Sequence, residues 1–258
     1  MMRNSILLFS SLLLFVVFAS CSDKNRLVAI EAGNIKVCEI PGNDGAEEVR
    51  AILEYRRQAV DSLMSPVIGE AAVSLERFLP ESPLMNFAAD ALLTMAQEVT
   101  GEHVDIAITN RGGLRSTIPA GKITLGDMYK VFPFENTLVL LTLNGEQLMQ
   151  LCREVASVGG EAVAGIRLVI TPQGELVSAS VAGMPVDMAC DYRIATSDYL
   201  SQGNDRMTAL ALGTERDVRS DITVRDLLVQ YVMNIAAKGK ALTAVCDGRI
   251  TVEERMLP

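Results

Sequence analysis

Two short apolar runs, Val104–Thr109 and Thr137–Leu143, bracket the stretch that most restricts how this chain can fold, NRGGLRSTIPAGKITLGDMYKVFPFEN from Asn110 to Asn136. Both runs have the length and the β-branched or Leu content of core strands. Between them come a glycine pair, Gly112-Gly113, set among Asn110, Arg111 and Arg115, then a short amphipathic segment, then Pro133-Phe134-Glu135-Asn136. Two polar loops therefore leave the ends of two core strands, where a rigid scaffold presents binding residues.

The flanking sequence supplies that scaffold. Ala46–Leu63 spaces Val49, Ile52, Leu53, Val60 and Leu63 at helical intervals with charges between them, which predicts one amphipathic helix of about five turns. Val67–Leu75 alternates as a half-buried strand does. Pro83–Thr100 predicts a helix with Ser82 as N-cap, Pro83 in its first turn and Gly101 at its end. Asn86 and Asp90 lie four residues apart on one face of it, placed either to brace the glycine loop or to face water. A short helix over Thr124–Val131, a helix capped by Asn144 and running through Val155, and a last helix over Thr223–Ala237 follow. Gly165–Thr171, Leu176–Val181 and Tyr192–Thr196 read as successive strands, Arg249–Val252 as an edge strand, and Tyr199–Met207 as a polar glycine loop. This order predicts an α+β fold, a single domain over 44–252 with a mixed β-sheet and packed helices.

Composition narrows the function classes. A net charge of −9 without a Lys/Arg-rich block argues against a nucleic-acid partner. The single histidine, His103, sits in a loop before a strand and reads as a solvated imidazole. It excludes histidine-rich metal sites, and any His-dependent Ser or Cys triad would have to use it. No Cys-x-x-Cys occurs. Cys152 falls at an apolar helix position, where a buried thiol is expected. Pairing among Cys38, Cys152, Cys190 and Cys246 stays open.

The N-terminus carries a compartment signal. Arg3 followed by the apolar run Ile6–Phe18 has the pattern of a signal peptide and is short of the roughly 20 residues of a spanning helix. Ala19 and Ser20 then precede Cys21, a pattern that resembles a bacterial lipoprotein signal. The expectation is a signal peptide over 1–20, lipidation at Cys21, a tether over 21–43, a tail over 253–258, and an exported, membrane-anchored lipoprotein.

Four motifs in order carry a family resemblance. They are Leu84-Met85-Asn86-Phe87-Ala88-Ala89-Asp90-Ala91-Leu92, Asn110 to Arg115, Gly121 to Asn136, and Tyr199 to Asp205, with an aromatic six residues before an aspartate in a glycine loop. Together they resemble the C-terminal domain of 5′-nucleotidases, and the 44–63 helix resembles that family's linker helix. The resemblance covers about residues 44–252. It implies a domain that binds the nucleoside part of a substrate, while a separate N-terminal metallophosphoesterase domain holds two metals and breaks the phosphate ester.

Carried onto this sequence, the resemblance makes Phe134 and Tyr199 an aromatic pair around the base. Asn136 becomes an amide at the base edge, and Asp205 the carboxylate that accepts from ribose hydroxyls. Arg115 is an arginine of the cleft, Asn110 a residue of its wall, and Gly160 (or Gly159) a glycine against the base. The chemistry agrees, since bases stack on aromatic faces and an amide both donates and accepts. Taken singly, each residue has an ordinary structural reading: Phe134 as core, Asn136 and Asp205 as turn residues, Arg115 as a solvated loop side chain, Gly112 and Gly113 as positive-φ positions. Their joint occurrence favours the cleft. Three departures stand out. Tyr199 replaces the usual Phe, Arg206 replaces a glycine, and no arginine between Leu79 and Leu92 matches the upstream arginines of some members.

The dimetal half should bring Asp-x-His and Asn-His-Asp/Glu elements, and neither occurs. The expectation is a nucleotide- or nucleoside-binding lipoprotein with no catalytic residues and no cofactor of its own, paired with a separate metallophosphoesterase chain that supplies divalent metals. Two alternatives remain: an independent nucleotide-binding or scavenging surface module, and a remnant domain with a structural role only.

Overall fold

The computed structural model describes residues 45–253, together with Gly33. The segment expected as a signal peptide, Cys21, Cys38, the rest of the expected tether and the tail beyond Glu253 lie outside the described residues. The chain divides into two units, Met1–Val49 and Arg50–Pro258. Of the first, Gly33 and the start of one helix are described. The second carries the fold.

A helix spans Gly45–Met64, one residue longer at each end than its periodicity suggests. Its apolar side chains Ile52, Leu53, Val60 and Leu63 are exposed. Strand β1, Val67–Ala71, is shorter than the predicted Val67–Leu75, because Leu75 forms only an isolated bridge with Ile118. The helix Pro83–Thr100 follows the sequence closely. The Ser82 hydroxyl accepts from the Met85 amide, and Gly101 takes the left-handed C-cap at φ 70°. Capping boxes start the helices Leu125–Val131 (Thr124 with Asp127) and Gly145–Ser157 (Asn144 with Gln147). Thr223 caps Val224–Ala237 by accepting from the Asp226 amide.

Among the described residues the strands form three sheets. Strand β1 pairs antiparallel with β3 (Gly121–Thr124). The central sheet has the order β10-β4-β9-β2-β5, from β2 (Ile106–Thr109), β4 (Thr137–Asn144), β5 (Ala162–Ala164), β9 (Asp191–Ser197) and β10 (Thr214–Thr223). It is mixed: β2 and β9 run parallel and the other neighbours antiparallel. A second mixed sheet joins β6 (Ile166–Ile170), β7 (Leu176–Val181), β8 (Met184–Pro185) and β11 (Ile250–Val252), with β11 at its edge and parallel to β6. The α+β class stands.

Burial on both faces explains the apolar runs of the central strands. Leu138, Leu140, Ala107 and Ala195 point to a core shared with the helices Pro83–Thr100 and Val224–Ala237. Val139, Leu141, Leu143, Ile106 and Ile108 point to a second core against the helix Gly145–Ser157 and the second sheet. Cys152 is buried there, and burial pushes its thiol up to about 12. Cys190 and Cys246 are also free thiols.

Asn86 and Asp90 do not brace the glycine loop, and they do not simply face water. The buried Asn86 amide donates to Glu81 Oε1 at 2.6 Å and to the Val245 carbonyl at 2.8 Å. Asp90 accepts from both terminal nitrogens of Arg249, at 2.7 and 3.0 Å. Their common helix face is turned to the C-terminal segment, tying it to this helix.

Candidate functional site

Strand register gathers the candidate residues. Thr109 pairs with Ala162, Ala107 with Ala195, and Leu138 with Ser197, so β2, β4 and β9 end at one level of the sheet. Asn110 leaves the end of β2, Asn136 enters β4, and Tyr199 leaves β9 two residues beyond its end. Parallel β2 and β9 beside antiparallel β4 bring two strand exits and one strand entrance to the same edge. Proximity of residues 110, 136 and 199 is thus a product of pairing.

At that edge lies a cavity of about 300 Å³ lined by Asn110, Gly112, Arg115, Phe134, Asn136, Tyr199 and Asp205. Six of the seven residues expected from sequence meet there. Gly160 does not. It is buried at φ 121°, and a Cβ on it would sit 2.2 Å from the Pro80 carbonyl oxygen. Close packing of two loops, not ligand approach, requires a glycine at that position. Gly112, in its stead, faces the cavity. Nor does the pair Gly112-Gly113 serve positive φ; an added Cβ on Gly113 would lie 2.8 Å from Asn110 Oδ1, so the Asn110 side chain packs where a side chain would project.

The polar wall is one network. Asn110 Nδ2 donates to Asp205 Oδ2 at 2.5 Å, and the Tyr199 hydroxyl donates to Asp205 Oδ1 at 2.9 Å. The bond to Asp205 holds the Tyr199 phenol proton above its ordinary pKa. Each carboxylate oxygen still has a lone pair free for a ligand hydroxyl. Asn204 Nδ2 donates to the Tyr199 carbonyl at 2.8 Å and closes this loop on itself. Asp205 and Arg206 both adopt left-handed backbone, at φ 53° and 64°. Asp tolerates this; Arg206, where the family pattern has glycine, does so at a cost.

The apolar walls are the two rings, Phe134 at 48% and Tyr199 at 39% exposure. Neither is buried in the core. The Arg115 guanidinium lies 6.0 Å from the Phe134 ring centroid and donates to the Gly112 carbonyl at 3.2 Å. Arg225, on the first turn of the Val224–Ala237 helix, supports the Phe134 segment from below. It stacks 4.0 Å from the Tyr129 ring centroid and donates to the Pro133 carbonyl and the Glu135 carboxylate.

Arg225 and two further supporting residues, Arg77 and Glu161, carry no clear signal in the sequence. Arg77 lies just upstream of Leu79. Its Nη1 donates to the Arg111 and Leu114 carbonyls at 2.8 and 2.6 Å, clamping the glycine loop. Glu161 is buried beside β5 and accepts the Arg111 amide. The only sequence signal for it is an acid directly after Gly159-Gly160.

His103 lies at the opposite end of the sheet, its side chain 80% exposed and 3.1 Å from Asp105. The cleft's donor set does not fit a dimetal centre. It offers one carboxylate, already accepting from Asn110 and Tyr199, beside a guanidinium and two amides.

Comparison with known proteins agrees with this architecture. Residues 67–212, more than half of the chain, match the model of the 5′-nucleotidase, C-terminal domain. The trifunctional nucleotide phosphoesterase protein YfkN of Bacillus subtilis is 29% identical over 257 residues, 92% of this chain and 17% of that protein. The protein UshA of Salmonella pullorum is 30% identical over 115 residues, 43% of this chain and 21% of its own. The solved 5′-nucleotidase precursor of Thermus thermophilus superimposes with a TM-score of 0.69 at 28% identity, covering 81% of this chain and 44% of that one. The chain thus spans less than half the length of these relatives. It belongs to the family of the 5′-nucleotidase C-terminal domain.

Proposed function

We propose that this chain binds nucleosides and nucleotides in the cleft between Phe134, Tyr199 and Asp205. It thereby contributes substrate recognition to phosphate-ester hydrolysis whose metals belong to a separate metallophosphoesterase chain. The observation that carries the reading is the meeting of two part-exposed aromatic rings, two amides, a carboxylate and a guanidinium around one cavity. At about 300 Å³ it is at the lower end of small-ligand sites. The rings stack the base, Asn136 reads its edge, Asp205 accepts from the ribose, and Arg115 faces the phosphate. Recognition without metals is the chemistry this donor set supports. Acylation of Cys21 would hold the domain at a membrane on the exported side.

Calorimetric titration of the full chain with adenosine and with AMP tests the binding reading. Saturation at micromolar to low millimolar ligand supports it, and no heat at millimolar ligand sinks it. Co-purification of a metallophosphoesterase, with AMP hydrolysis by the complex and divalent metal, tests the partnership; hydrolysis unaffected by this chain removes it. Mass spectrometry of the N-terminal peptide decides whether Cys21 is acylated.

A further inference from the structure

Glu161 is an acid that recognition does not itself use. It precedes β5, and because Ala162 pairs with Thr109, it is placed against the exit of β2, behind the glycine loop. At 6% exposure it is buried, and it accepts the backbone amide of Arg111. That amide opens the 3-10 turn Arg111–Gly113, from which Gly112 reaches the cavity. The turn is held on its other side by Arg77, which grips the Arg111 and Leu114 carbonyls. Glu161 and Arg77 thus hold opposite polar groups of one short turn: a carboxylate accepts from the N–H, and a guanidinium donates to the carbonyls.

We propose that Glu161 is a positioning residue of the cleft: its carboxylate sets the glycine turn by accepting the Arg111 amide, so that ligand affinity follows its ionisation. This rests on the nucleoside-cleft reading above. The charged groups facing Glu161 are Arg111 on the turn, Asp205 on the loop after β9, and Arg77 before the helix Pro83–Thr100. Burial, aided by Asp205, pushes its carboxyl up to about 7, against the pull of the Arg111 amide and of the Arg111 and Arg77 charges. The acid therefore changes charge near neutral pH. An amide N–H bonds more strongly to a carboxylate than to a neutral carboxyl. Ionisation tightens the turn, and the direction follows: a neutral nucleoside binds better as pH rises.

The test uses the full chain and adenosine, whose own charge is constant over the range. Affinity should rise up to about tenfold from about pH 6 to about pH 8, with roughly half a proton released per adenosine near neutrality. Glu161→Gln keeps an acceptor for the Arg111 amide and should bind with a flat profile and no proton release; Glu161→Asp should keep a profile. A ligand-free measurement stands beside these: the Arg111 amide resonance should titrate near neutral pH in the wild type and not in Glu161→Gln. An Arg111 amide that does not titrate overturns the proposal whatever happens to binding. Adenosine bound with equal affinity at all these pH values overturns it too. Failure to bind adenosine while the amide titrates overturns the nucleoside reading and the affinity coupling with it, and leaves Glu161 holding the turn.

Discussion

Tyr199 and Asp205, six residues apart, are joined directly: the phenol hydroxyl donates to Asp205 Oδ1 at 2.9 Å while the ring lines the cavity. One side chain serves as apolar wall and as polar strut. The usual Phe at this place would stack equally well but would leave Asp205 with one fewer donor.

The rings and the strut separate by substitution. Phe134→Ala should weaken adenosine binding roughly 5- to 100-fold, the range for loss of one base-stacking aromatic. Tyr199→Phe keeps the ring and should change affinity by no more than about tenfold, the worth of one ordinary hydrogen bond. Titration calorimetry of both variants reads this directly, and equal losses would mean that stacking is not the source of affinity.

Asp205→Asn should lower adenosine affinity by roughly 10- to 100-fold, because it removes a charged acceptor for the ribose hydroxyls. A dideoxynucleoside lacks those hydroxyls. Its binding should be nearly indifferent to the same substitution, and an equal loss for both ligands would remove the ribose contact.

Glu161 also sets a pH dependence of stability. Its carboxyl is raised from 4.5 to about 7 in the folded chain, so between those values the native state holds a proton that the unfolded state has lost. Stability from this group is therefore complete at the acid end and declines as pH rises through the window, by up to about 3 kcal/mol. Asp127 and Asp247 have lowered pKa values and act with the opposite sign at lower pH. Urea denaturation of wild type and Glu161→Gln from pH 4.5 to 7 should show curves that separate in the direction given.

Gly160→Ala should destabilise the fold by roughly 2–4 kcal/mol, since its Cβ would meet the Pro80 carbonyl at an unfavourable φ. The protein that still folds should bind adenosine with wild-type affinity. Selective loss of binding at unchanged melting temperature would return Gly160 to the cleft.

Arg206→Gly should raise stability by about 0.5–1 kcal/mol, relieving a non-glycine residue at φ 64°. Thermal melts check it; an unchanged or lower melting temperature would mean that contacts of the Arg206 side chain offset its strained backbone.

Most helices were legible because their signals are local. Ser82, Thr124, Asn144 and Thr223 each cap within their own next three residues, and Gly101 terminates its helix through its own φ. Strand β10 was not legible. Its sequence TERDVRSDIT is charged, part-exposed and without a clean apolar alternation, and it is a strand only because β4 offers a free edge to pair with. The division of the strands among three sheets was not legible for the same reason, since pairing partners are not written in local sequence.

The sequence by itself determined the helices, their caps, the central apolar strands, and which side chains were fit to recognise a nucleoside. Phe134, Asn136, Tyr199 and Asp205 are chemically suited wherever they stand. Tertiary structure alone decided that they share one cavity, that Gly160 packs against Pro80, and that Glu161 and Arg77 hold the glycine turn. The physical reason is register. Thr109 beside Ala162 and Leu138 beside Ser197 bring together residues dozens of positions apart, and that alignment comes from burying both faces of the sheet at once.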